Sequence, residues 1–235
     1  MKKLRTNYRL APFTPALAYA RQAPAASRRC GPKARSTVHI VENSASSRAL
    51  PIVAFYRRRF PHLQPDGKPL FITWHLFGSL PHHRFPPPHS LSAGKAFVWM
   101  DRQLDSAVSG PTWLLREEVA RMVADALHYS AETLLHYDLH AFVIMANHVH
   151  VLLTPHVDPV KLLHSVKSFT ARQANKILGR VGEPFRQAES YDHFVRNTVE
   201  LDRIRRYIEE NPVRAGLVLS PEDYRWSSAH AVVTT

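Results

Sequence analysis

The chain has 235 residues, enough for one domain with a full core and some length left over for an arm. Lys and Arg number 31 against 19 Asp and Glu, a formal charge of +12 that favours a polyanionic partner such as nucleic acid. A single cysteine, Cys30, excludes an internal disulfide framework and a cysteine-based zinc site, and no run is long and apolar enough to span a bilayer.

The basic start Met1-Lys2-Lys3-Leu4-Arg5 is followed by Asn7, Arg9, Pro12, Thr14 and Pro15, which break the apolar stretch an export signal needs. A cytoplasmic, nucleoid-associated protein is therefore expected. Residues 1–55 are rich in Ala, Arg, Ser and Pro without sustained periodicity, and read as a basic, disordered N-terminal arm. Within it only Val38-His39-Ile40-Val41 has strand character. Residues 56–235 read as the folded domain.

After the turn signal Pro65-Asp66-Gly67, the run from Pro69 to Leu80 reads as a long strand. Apolar groups fall on both of its faces, which places it in the interior of a sheet. Pro81 to Ala96, with Pro86-Pro87-Pro88, reads as a loop, and the whole stretch to Pro111 as a place for insertions. Leu114, Leu115, Val119, Met122, Val123, Ala126 and Leu127 then recur at helical spacing, as on an amphipathic helix packed against a sheet.

Tyr137 to Val143 and His148 to Thr154 are two apolar, β-branched runs flanking Met145-Ala146-Asn147, the pattern of an antiparallel hairpin. Strand alternation puts His148 and His150 on one face and Val149 on the other. Two adjacent imidazoles make half of a metal site, or a pair of half-exposed surface histidines; a third ligand and a reactive group decide between these.

A second helix is expected from Pro159 to about Gly179, burying Leu162, Leu163, Val166, Phe169 and Ile177 and carrying Lys161, Lys167, Arg172, Lys176 and Arg180. Tyr191-Asp192-His193 reads as an extended segment crossing near the histidines. A third helix runs from about Thr198 to Asn211, capped by Asn197 or Thr198, with Glu200 in its first turn and Pro212 limiting its end. Tyr207 and Asn211, four residues apart, project from one face of it.

The chemistry that unites these residues is phosphodiester cleavage by a tyrosine. A phenol with a pKa near ~10 needs help to attack at neutral pH. A divalent ion held by His148, His150 and an oxygen such as that of Asn211 would polarise the phosphate and stabilise the pentacovalent transition state. Read singly, Tyr207 is an amphipathic-helix tyrosine with its hydroxyl at the surface and Asn211 an ordinary helix-end residue before proline.

Taken together, Asn147-His148-Val149-His150-Val151-Leu152-Leu153 and Tyr207-Ile208-Glu209-Glu210-Asn211-Pro212-Val213-Arg214-Ala215-Gly216-Leu217-Val218 resemble the single-tyrosine HUH transposases, above all the REP-associated tyrosine transposases. Tyr191 to Asn197 and Trp226-Ser227-Ser228 add to the likeness, which covers roughly 56–231. The resemblance implies an α/β (α+β) fold, a ferredoxin-like antiparallel sheet with helices packed on one face. It also implies cutting and rejoining of single-stranded DNA at hairpin or palindromic repeats, with Mg²⁺ or Mn²⁺, through a covalent phosphotyrosine. Tyr207 becomes the nucleophile, and His148, His150 and Asn211 the metal ligands. The family often has proline where Ala146 stands, and the arm before Tyr56 has no counterpart in it.

Arg172, Lys176, Arg196, Arg205, Arg206 and Arg214 are candidates for DNA backbone contacts, with Tyr191 or Trp226 as stacking surfaces. The expected partner is single-stranded or hairpin DNA, without a membrane, bound by a monomer or homodimer. The readings from other classes are a non-catalytic nucleic-acid-binding regulator on the same sheet and a metal hydrolase that activates water.

Overall fold

The computed structural model describes residues 52–57, 61–65, 67–80, 93–107, 110–188 and 190–230, all within the unit Ser36–Thr235. Of the expected arm only Ile52 to Phe55 are described, and they open a strand. The run Val38 to Val41 and the loop residues 81–92 lie outside the described residues.

The strands are β1 (Ile52–Arg57), β2 (Pro61–Pro65), β3 (Leu70–His75), β4 (Tyr137–Ile144), β5 (His148–Pro155) and β6 (Tyr191–Phe194). The helices are α1 (Ala93–Asp105), α2 (Glu117–Glu132), α3 (Pro159–Ile177), α4 (Thr198–Glu209) and the short α5 (Asn211–Arg214). β1 and β2 pair as an antiparallel two-stranded sheet. The main sheet has the order β4-β5-β3-β6 and is antiparallel throughout. β3 is thus interior, as the apolar groups on both its faces require.

One residue of β4 departs from the ladder. Leu139 opposes Leu153 and Ala141 opposes Leu152, so His140 forms a bulge that shifts the face on which later side chains fall. Tyr137 and Leu139 therefore join the same core layer as Phe142 and Ile144, while Ala141 and Val143 join the other.

The fold class and antiparallel sheet are as expected, but the helices cover both faces rather than one. On the first face Ile72, Trp74, Val149 and Val151 pack with Val119, Val123 and Leu127 of α2 and with Leu162 and Leu163 of α3. On the second, Phe71, Leu152 and Val143 pack with Phe97, Met100 and Leu104 of α1 and with Ile204 and Ile208 of α4. The cause lies in β3 and β5: both are buried on both faces, so each face needs its own cover. Burial of each such side chain contributes about 1.5–3 kcal/mol.

Local signals set the helix ends near the site. Asp158 caps α3 by accepting hydrogen bonds from the amides of Val160 and Lys161 at 2.9 and 3.1 Å, with Pro159 at the first position. Asn197 caps α4 through the Glu200 amide at 2.8 Å, and Glu200 reaches back to the Arg196 amide at 2.8 Å, a variant of the reciprocal capping box. Pro212 then opens α5, so Asn211 stands at the break between two helices.

Candidate active site

The site forms where β5, α1 and α4 meet on the second face. His148 and His150 are fully buried there, with ring centroids 4.7 Å apart. They are therefore not half-exposed surface histidines.

Each ring is fixed from behind. Thr73, directly across the β3 ladder from His150, places Oγ1 2.7 Å from its Nδ1. Asn147 places Oδ1 2.8 Å from Nδ1 of His148, while its Nδ2 donates to the carbonyl of Leu104 at 3.1 Å. Because the amide nitrogen is committed to that carbonyl, its oxygen must face His148, so Nδ1 of His148 carries the hydrogen. Nε2 then presents a lone pair to the site. Burial, then the neighbouring His150, push the imidazole pKa of His148 down to about 3 against the pull of Asp101, so it is neutral at physiological pH.

Asp101 and Asp105, one turn apart on α1, face the two imidazoles. Asp101 Oδ1 lies 3.0 Å from Nε2 of His150 and 3.9 Å from Nε2 of His148. Asp105 Oδ1 lies 3.6 Å from Nε2 of His148. Burial raises the Asp101 carboxyl, but the charge and hydrogen bond of His150, with His148 and Arg214 behind them, outweigh it and hold the group below its ordinary value. Asp105 goes the other way: burial and the charge of Asp101 push it up to about 7, despite His150 and Arg214.

Tyr207, half-buried on α4, donates its phenol hydrogen to Oδ2 of Asp101. Its ring centroid stands 6.0 Å from that of His150 within the same chain. Arg214 covers the outer face of the phenol, its guanidinium carbon 3.8 Å from the ring centroid, and donates to the Tyr207 carbonyl at 3.0 Å. Asn211 is fully buried with Nδ2 3.4 Å from Nε2 of His150.

The donor set fits a divalent cation. Asp101, His148 and His150 bring ligand atoms within 4.8 Å of one another. Among the described residues, Nε2 of His148, Oδ1 of Asp105 and Oδ1 of Asn211 are buried without a hydrogen-bond partner. Two imidazoles with carboxylate and amide oxygens beside them are the chemistry of a hard or borderline cation site.

His148, His150, Tyr207 and Asn211 are thus brought together, and Arg206 joins Arg214 on a cleft of about 420 Å³ beside Tyr207. Arg203 lines the same cleft and was missed in the sequence. Arg205 pairs with Glu209 at 3.1 Å and Arg196, just before α4, lies 4.0 Å from Glu200, both turned toward α4. Arg172 and Lys176 are exposed on α3, which packs on the opposite sheet face from α4. Asp101, Asp105 and the whole of α1 were read as part of a loop. The signal for them was Ala96, Phe97, Met100 and Leu104 at helical spacing, with Asp101 and Asp105 four apart.

No curated protein matches the chain. A solved structure of a REP-associated tyrosine transposase bound to a REP hairpin is similar over 70% of this chain and 78% of that one, with 18% identity and a TM-score of 0.46. The family described as transposase, IS200-like, matches residues 113–211. That segment holds His148, His150, Tyr207 and Asn211, and over it the chain is similar to the IS200-like transposases.

Proposed function

We propose that this chain is a transposase that cuts and rejoins single-stranded DNA beside hairpin or palindromic repeats through a covalent bond between Tyr207 and a DNA phosphate. The observation that carries the reading is that Tyr207 of α4 and the His148–His150 pair of β5 meet across one carboxylate, Asp101.

The cation, Mg²⁺ or Mn²⁺, would be held through Nε2 of His148 and His150, with the side-chain oxygen of Asn211 beside them. When bound it supplies Lewis-acid stabilisation of charge on a non-bridging phosphate oxygen. Thr73 and Asn147 keep both Nε2 atoms turned inward, and the neutral imidazole of His148 keeps its lone pair available. Arg214 fixes the phenol ring from outside and adds positive charge next to the attacked phosphate.

In the reaction the Tyr207 oxygen forms a bond to phosphorus and gives up its hydrogen. The bond from phosphorus to one sugar oxygen breaks, and that oxygen takes a proton. The phosphotyrosine keeps the energy of the broken ester, so a free DNA hydroxyl can reverse the step and rejoin strands. Arg203, Arg206 and Arg214 line the approach to Tyr207 and suit a flexible, unpaired backbone. The catalytic domain on this reading spans 56–235, preceded by the basic arm.

The test is incubation of the chain with Mg²⁺ or Mn²⁺ and end-labelled hairpin DNA carrying single-stranded flanks, followed by denaturing electrophoresis. A protein–DNA adduct that disappears in Tyr207→Phe and in His148→Ala is expected. Binding without any adduct under either metal contradicts the proposal, and cleavage surviving in Tyr207→Phe assigns the chemistry to activated water.

A further inference from the structure

The transesterase reading demands that a phosphate reach the space between the Tyr207 hydroxyl and the two histidines. That space is filled. One oxygen of Asp101 lies at His150 and the other accepts the hydrogen of Tyr207, the two places where oxygens of a scissile phosphate must sit. The carboxylate has 3% of its surface exposed and both imidazoles have none.

The likeness to a nucleotide extends further along α1. Phe97, one turn before Asp101, stacks on Tyr191 of β6 with ring centroids 4.3 Å apart and an interplanar angle of 30°. It also meets Phe71 edge-on at 5.3 Å. An aromatic ring on Tyr191 and an anion on Tyr207 are what a base and its neighbouring phosphate would offer to the same two side chains.

We infer that α1 is a built-in pseudosubstrate: on the reading of Tyr207 and the histidines given above, Asp101 occupies the seat of the scissile phosphate and Phe97 that of an adjoining base, and single-stranded DNA enters by displacing the helix. Besides the apolar packing of Phe97, Met100 and Leu104 under the second sheet face, two polar contacts join α1 to β5 and the turn before it: Asp101 at His150 and the Leu104 carbonyl at Asn147. Both come from the helix, so they release with it.

The exchange is balanced in charge. A carboxylate leaves a buried cationic and hydrogen-bonding seat for water, and a phosphodiester of the same charge takes its place, so the site is never left uncompensated. Stacking is replaced by stacking in the same way. The two ends of the excursion that carries α1 also meet: Gly78 and Gly110, both at positive φ, pack so closely that Gly110 has no room for a Cβ. A helix tethered at one pinched base can move as a unit.

The experiment uses hydrogen exchange on the full chain carrying Tyr207→Phe, with saturating Mn²⁺, with and without hairpin DNA. Faster exchange of the amides of Ala93–Asp105 when DNA binds is expected. In the chain with Tyr207 intact, Asp101→Ala and, away from the histidines, Phe97→Ala should each raise the rate of adduct formation several-fold at saturating Mn²⁺. Greater protection of α1 on DNA binding, or loss of adduct in both variants, would overturn the proposal by making α1 part of the assembled catalytic site. If α1 exchanges faster with DNA but no chain forms an adduct, the displaced helix stands and the tyrosine chemistry falls.

Discussion

Asp101 and Tyr207, 106 residues apart in sequence, are joined by one hydrogen bond in which the phenol donates and Oδ2 accepts. The other oxygen of the same carboxylate faces Nε2 of His150 at 3.0 Å. The phenol and the imidazole pair are therefore held in a common frame by a residue of neither's element, and the consequences can be measured from several directions.

Thr73→Val keeps the shape of the side chain and removes the oxygen that sits 2.7 Å from Nδ1 of His150. A fully buried ring nitrogen then loses its partner. Metal-free stability should fall by about 1–3 kcal/mol in chemical denaturation. Metal affinity by calorimetry should fall about 10–100-fold. An unchanged metal affinity would show that the orientation of His150 is set elsewhere.

Asn147→Ala should weaken metal binding by a comparable factor of about 10–100-fold. It removes both the oxygen that fixes the tautomer of His148 and the nitrogen that holds the Leu104 carbonyl. Asn147→Asp is the sharper comparison, because it retains the acceptor for Nδ1 while losing the donor to α1. It should preserve more metal affinity than the alanine variant.

The arginines should separate by position. Arg206→Ala and Arg214→Ala remove charges from the cleft beside Tyr207 and should each lower the slope of log affinity for single-stranded DNA against log salt by about 0.7. Arg172→Ala and Lys176→Ala on α3 should change it much less. Equal slopes for the two pairs, measured by fluorescence anisotropy, would place the strand elsewhere on the surface.

Glu200 sets an acid-dependent part of the stability. Burial raises its carboxyl, but the Arg196 amide and His193 outweigh that and hold it below the ordinary 4.5. A carboxyl lowered on folding stabilises fully above its unfolded value and loses that contribution as pH falls through the folded one. Denaturation midpoints should therefore drop on acidification below 4.5, and Glu200→Gln should flatten that drop at a cost on the order of 1 kcal/mol at neutral pH. An identical pH profile in the variant would contradict the assignment.

Much of this was legible in the residues because the signals were local. The alternation through His148, Val149 and His150, the cap at Asn197, and Tyr207 four residues before Asn211 each report a backbone geometry directly. The edge strand β6 was legible only as an extended segment, since four residues carry little periodicity. The occupant of the site was not legible. Pro86-Pro87-Pro88 marked the region before α1 as loop, and the meaning of Asp101 depends on a contact with Tyr207 that only the folded sheet creates. The second layer of helices was foreshadowed by β3, whose two apolar faces both needed covering.

The most direct test of the central claim is peptide mass spectrometry of the chain after incubation with Mn²⁺ and hairpin DNA bearing single-stranded flanks. A nucleotide phosphate attached to the phenol oxygen of Tyr207 is the expected result. Cleaved DNA accompanied by an unmodified Tyr207, or by an adduct on any other residue, would contradict it.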